Sequence, residues 1–335
     1  MTRHLLPAAL VALALVPVRA AAQPATNPYA AIDRHALKAP KEAEESVASL
    51  AAYLAKPAKN DKEKARAVYR WVTDRIAYDA DAFYAGRRPD GAPEAVLKSR
   101  KAICTGFATL FQALCVEAGV EAVIVSGKAK GARREEGDDT AVPHGWNAVK
   151  LGGDWHLVDA TWGAGGLKDK KFVKHFHDFF FLPPPEALIF THFPNKPESQ
   201  FLSDPISEKE FDRRPKVSVR FFEVGVTPAA LRKALADDKF PGLVKIYDTP
   251  GASLALKEVP LAKSLKAGEK YKFRIETGDY ASVVVSSGGR SFPLARKGKA
   301  FEGTIVAPRG SIKVEGANGG AGKVVVTELL EYEGE

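Results

Sequence analysis

The sequence predicts an α+β domain followed by an all-β sandwich. Three observations carry this reading. Apolar residues recur at helical spacing in three segments before residue 120. A Gly152-Gly153 turn then joins two alternating runs, a hairpin signal. Beyond Phe211 short alternating runs separated by Gly and Ser replace the helical pattern. With 335 residues, 45% hydrophobic and 27% charged, each half can bury a core of its own.

The chain starts with "MTRHLLPAALVALALVPVRAAAQ", a short basic stretch followed by an apolar run from Leu5 to Val18. Ala20-Ala21-Ala22 supplies a small-residue cleavage pattern, so residues 1–22 read as a secretory signal peptide. The run is too short to span a bilayer, and no other stretch is long enough. We therefore expect an exported protein, periplasmic or extracellular, with a mature chain starting near Gln23. The net charge is +8, with Lys and Arg scattered rather than interleaved with aromatics, which argues against nucleic acid as a partner.

Residues 23–40, rich in Ala, Pro and Asn, read as a linker. A domain follows over 41–215. Its first helix places Val47, Leu50, Ala51 and Leu54 on one face and stops at Pro57. Asn60 caps a second, with a stripe of Ala65, Val68, Val72 and Ile76. A third carries Phe107, Leu110, Phe111, Leu114 and Cys115 toward the core, with Gly119 as its C′ residue. "VEAVIVSGKAKG" reads as a strand, and "HGWNAVKLGGDWHLVDATWGAGG" as the hairpin. Runs such as "KYKFRIET" and "FEGTIVAP" then mark a sandwich over 216–335.

The chain has two cysteines, both in the third helical segment. At about 1.5 Å rise per residue they stand roughly 16 Å apart, too far for a disulfide. Cys115 falls on the apolar stripe, as a buried, inert residue does. Cys104 falls at the helix N-terminus, where free N–H groups and the positive dipole end favour a thiolate. Lowering a thiol pKa by two units needs about 2.7 kcal/mol. A dipole supplies at most about 2, so an imidazolium is needed as well.

The hairpin supplies one. With Gly152-Gly153 as its turn, Trp146 faces Asp159, and His144 shares that face as a diagonal neighbour roughly 7 Å away at Cβ. Asp159 can then hold one nitrogen of His144 and leave the other for Cys104. His156 points to the opposite face. His175 and His177 resemble a metal pair but have no ligand-type neighbours in sequence, so no metal and no cofactor are expected.

These residues resemble the transglutaminase-like superfamily, whose core is papain-like. The matching segments are "ARAVYRWVTDRIAYD", "KAICTGFATLFQALCVEAGVEAVIVSGKAKG" and "PHGWNAVKLGGDWHLVDATWGAG". "HDFFFLPPPEALIFTHFPNKPESQFL" is similar to the branch containing the kyphoscoliosis peptidase and related cytokinesis proteins, and the C-terminal half to immunoglobulin-like domains of bacterial members. The resemblance implies Cys104 as nucleophile, His144 as general base and acid, and Asp159 as its orienting carboxylate. It implies a structural Trp162, and peptide or protein amides, from the cell envelope among other sources, as substrates processed through a thioester. Gly145, Phe107 and Ser199 depart from the residues usual in the family, namely Ala, Tyr and Trp. The Cys104 N–H is a candidate oxyanion donor. Animal transglutaminases use calcium, but no calcium loop is present in this sequence. The alternative is a catalytically silent envelope peptide-binding or scaffold protein.

Overall fold

The structure is a computed structural model, which describes residues 27–131, 140–237, 240–249, 252–320 and 323–335. The signal-peptide segment 1–22 lies outside the described residues.

Among the described residues, six α-helices precede the main sheet: α1 (Ala30–Leu37), α2 (Val47–Ala55), α3 (Asp61–Arg75), α4 (Ala80–Tyr84), α5 (Pro93–Ser99) and α6 (Cys104–Glu117). The stripes of α2, α3 and α6 are buried in one core, with Val47, Leu50, Leu54, Val68, Val72, Phe107, Phe111 and Leu114 all inside. Local chemistry sets their ends. Ser46 and Ser49 form a capping box on α2, and Asn60 accepts from Glu63 N on α3. At the end of α6, Val120 N donates to Cys115 O and Gly119 N to Val116 O, with Gly119 at φ +78°.

The linker expected at 23–40 is not what the described part forms. Residues 30–37 are helical, with Ile32, Asp33 and Ala36 buried. Buried Arg66 of α3 grips Asp33 through two bonds, Nε to Oδ1 at 2.7 Å and Nη2 to Oδ2 at 2.8 Å. Arg66 also pairs with Asp178 and lies over the rings of Tyr29, Phe176 and Phe181.

Two short strands, β1 (Ala77–Tyr78) and β2 (Lys101–Ala102), pair in parallel ahead of α6. The main sheet contains β3 (Ala122–Ala129), β4 (Val142–Leu151), β5 (Asp154–Val158) and an edge strand, His192–Pro194. Its order is β5, β4, β3, edge strand, antiparallel throughout. The β4–β5 register pairs Leu151 with Asp154 and Asn147 with Val158, around Gly152 (φ +64°) and Gly153 (φ +100°). A four-residue helix, α7 (Ala160–Gly163), follows β5 directly.

The C-terminal region is two sheets packed face to face. One contains Ala255–Glu258, Lys270–Glu276, Ala300–Val306 and Ala295–Lys297, in that order. The other is built around Ser282–Ser287, Gly310–Gly320 and Lys323–Gly334. Alternate residues meet between them: Phe273, Ile275, Phe301 and Ile305 from the first, Val283, Val285, Val314 and Tyr332 from the second. The second core begins earlier than residue 216. It includes Ile189, Phe190 and Val217, so the chain from 189 to 215 is shared with it rather than belonging wholly to the helical half.

Candidate active site

α6 opens at Cys104 with Ile103 as its N-cap, and no side chain bonds the first turn. An apolar cap is a stability cost, since the orphan N–H groups lack the oxygen that Ser, Asp or Asn would offer. Here it leaves the positive end of a fourteen-residue helix turned toward a thiol. Cys104 is partly exposed and Cys115 fully buried; both are free thiols.

The hairpin delivers the partners. His144 Nε2 lies 2.8 Å from Asp159 Oδ2, and the imidazole also hydrogen-bonds Cys104. Because Nε2 is committed to the carboxylate, Nδ1 is the nitrogen left for sulfur. Asp159 is also the N-cap of α7, its Oδ1 accepting from Thr161 N at 2.8 Å and Trp162 N at 3.0 Å. The structure thus brings Cys104, His144 and Asp159 together, and Trp162 packs over the imidazole with centroids 5.9 Å apart.

Electrostatics follow from this packing. Burial opposes the charge on His144, but the Asp159 charge and hydrogen bond, with the thiolate, outweigh it and lift its pKa to about 10. Burial likewise opposes the Asp159 charge, yet His144 and His192 hold it well below the usual carboxylate range. Cys104 loses to burial but gains more from His144 and the Gly145 N–H, and falls below an ordinary thiol. In Cys115 burial alone pushes the thiol up. Both shifts favour the thiolate–imidazolium form of the Cys104–His144 pair.

His192 is the residue that the sequence did not single out. Its Nε2 lies 2.9 Å from the same Asp159 Oδ2, and it is buried. The ligand atoms of His144, Asp159 and His192 lie within 4.8 Å of one another, a spacing that a metal ion tolerates. Both histidine–carboxylate contacts in it are hydrogen bonds of ordinary length, and the two imidazoles pack against each other. Elsewhere, the His175 and His177 rings meet edge to face with centroids 4.5 Å apart, and His177 Nδ1 lies 3.9 Å from Glu223, outside this cluster.

Cys104 and His144 open into a cleft of about 530 Å³. Tyr78, Phe83, Trp162, Phe172 and Phe180 give it aromatic wall segments, and residues 216–219 line it as well. Tyr78 stays protonated beside the thiolate, because burial and the Cys104 and Asp159 charges all disfavour its ionisation.

Residues 48–160 match the Transglutaminase-like superfamily. The chain is 36% identical over 180 residues to the kyphoscoliosis peptidase of Mus musculus, covering 52% of this chain and 27% of that protein. It is 28% identical over 262 residues to the Lim and transglutaminase domain protein ltd-1 of Caenorhabditis elegans, covering 74% of this chain and 35% of that one. Hillarin of Drosophila melanogaster is 28% identical over 244 residues, covering 67% and 28% respectively. The chain thus spans roughly a third or less of these relatives' lengths. A solved structure described as a TGase aligns at 22% identity over 46% of this chain and 37% of its own, with a TM-score of 0.29.

Proposed function

We propose, on the premise that residues 48–160 match the transglutaminase-like superfamily, that the protein is an exported cysteine enzyme acting on peptide or protein amides. The observation that carries the reading is the chain of bonds from Asp159 through His144 to Cys104, the last two of which line the cleft. The Cys104 thiolate attacks the amide carbonyl carbon and forms a C–S bond. The oxyanion forms near the uncapped first turn of α6, where the Cys104 N–H is a donor. His144 gives its Nδ1 proton to the leaving amine as the C–N bond breaks. Water or a second amine then attacks the thioester, His144 takes its proton, and the C–S bond breaks to restore the thiolate. Water makes the reaction hydrolysis; a lysine amine makes it a crosslink.

The aromatic walls favour apolar side chains flanking the scissile amide. The segment read as a signal peptide makes envelope or extracellular peptides the substrate pool.

Iodoacetamide at pH 6.5 tests the reading directly. Cys104 should alkylate far faster than Cys115, and His144→Ala should slow it by roughly 10²-fold or more. Equal, slow labelling at both thiols would instead support a silent peptide-binding protein. Fluorescent amine incorporation into envelope protein, compared with peptide release, separates crosslinking from hydrolysis.

A further inference from the structure

We propose that His192 is a positioning residue for this site, a neutral imidazole that fixes Asp159 so that its carboxylate meets His144. The inference rests on the reading above and deepens it.

Four donors converge on the Asp159 carboxylate. Thr161 N and Trp162 N take Oδ1, while His144 Nε2 and His192 Nε2 share Oδ2 at 2.8 and 2.9 Å. Asp159 and His192 are both buried, so water does not compete for these positions. The bonding fixes the tautomer of His192. Its Nε2 carries the proton because it faces a carboxylate, and its Nδ1 lies 2.8 Å from the Thr191 hydroxyl. That hydroxyl has one proton and two acceptors within reach, Leu188 O at 3.2 Å and Nδ1 at the shorter distance. Burial and the neighbouring His144 charge disfavour protonation of His192, leaving one ring neutral and one cationic. Two cations on one oxygen would repel; a cation and a neutral donor do not.

The fold supplies the room. His192 pairs with Ala129 and His144 with Gly127, so both imidazoles rise on one face of the sheet, flanking β3. Their centroids lie 5.3 Å apart. Trp146 and Trp162 pack against the His192 ring at 5.1 and 4.5 Å and hold its plane. With His192 occupying one lone pair of Oδ2, the remaining pair is left for His144 Nε2. Removing that donor would raise the cost of keeping Asp159 ionised in a dry site and weaken its hold on the imidazolium.

The readout is the pH midpoint for iodoacetamide alkylation of Cys104 in the full chain. The ionisable groups facing Cys104 are His144, Asp159 and Tyr78; those facing His192 are Asp159 and His144; His177 and Lys216 also line the cleft. His192→Phe keeps the ring volume and removes the donor, so the midpoint should rise by about one pH unit, a tenfold change in the ion-pair equilibrium. His192→Gln, whose amide N–H can occupy the Nε2 position, should restore most of it. Thr191→Val, which removes the hydroxyl at Nδ1, should move it the same way by less. A role confined to anchoring the edge strand would lower melting temperatures and leave all three midpoints at the wild-type value, and that result overturns the inference alone. A wild-type Cys104 that titrates as an ordinary thiol overturns both this inference and the proposed function.

Discussion

At the level of single residues, the site couples two titrations with different consequences for different measurements. Below the depressed pKa of Cys104 both partners carry their protons, thiol and imidazolium, and both alkylation and turnover are lost. Rising pH forms the thiolate–imidazolium pair, so both rise together through a midpoint below the ordinary thiol range. Above about 10 His144 gives up its proton. The thiolate survives that loss, but the leaving amine then has no acid. Alkylation should therefore stay on its plateau while turnover falls again near pH 10, a divergence that parallel pH series would detect. Cys115, pushed up by burial alone, should contribute nothing to either curve in the native state. Much of this was readable in the chain. The Gly152-Gly153 turn sets a two-residue register, and that register places His144 and Asp159 on one face. Cys104 and Cys115 separate because one precedes a helix and the other lies on its stripe. His192 was not readable. It lies 33 residues from Asp159 in a three-residue strand, too short for any periodicity to show.

Among the structural elements, β3 and α1 each depend on one local feature. Gly127 lies between β4 and the edge strand. A Cβ there would stand 2.2 Å from Phe193 O and 2.7 Å from both Pro194 Cα and the Trp146 ring. Two of those contacts are backbone, so Gly127→Ala must push the edge strand and His192 outward. We expect a loss of about 1–3 kcal/mol in denaturant unfolding, together with the raised Cys104 midpoint described for His192→Phe. At α1 the decisive pair is Arg66–Asp33. Arg66→Met leaves Asp33 buried without its partner, which should cost about 3–5 kcal/mol and expose residues 30–37 to limited proteolysis. The same pair explains why α1 escaped detection. Its eight residues include a buried carboxylate, which breaks an apolar stripe, and the compensating cation comes from another helix.

Over the whole molecule, two cores meet along the segment from Ile189 to Val219 rather than at a linker. Phe190 and Val217 pack in the second core, and Lys216 to Val219 line the cleft together with Cys104. Lys130, buried at the end of β3, donates to the carbonyls of Phe211 and Arg214 and ties this segment to the sheet. A fragment ending at residue 215 should therefore expose Ile189 and Phe190 and lose one wall of the site. Its expected behaviour is aggregation or loss of native-state dispersion in NMR, whereas the full chain stays soluble. The alternation that announced the β-sandwich was legible strand by strand; the shared segment was not, because its apolar residues serve two cores and follow neither period. The fully buried sulfur of Cys115 carries one more consequence. In a protein with one thiol already blocked at Cys104, any slow modification of the second counts excursions that open the helical core. The rate of that trickle, followed against denaturant, would gauge how much free energy separates the closed interior from its rare breathing states.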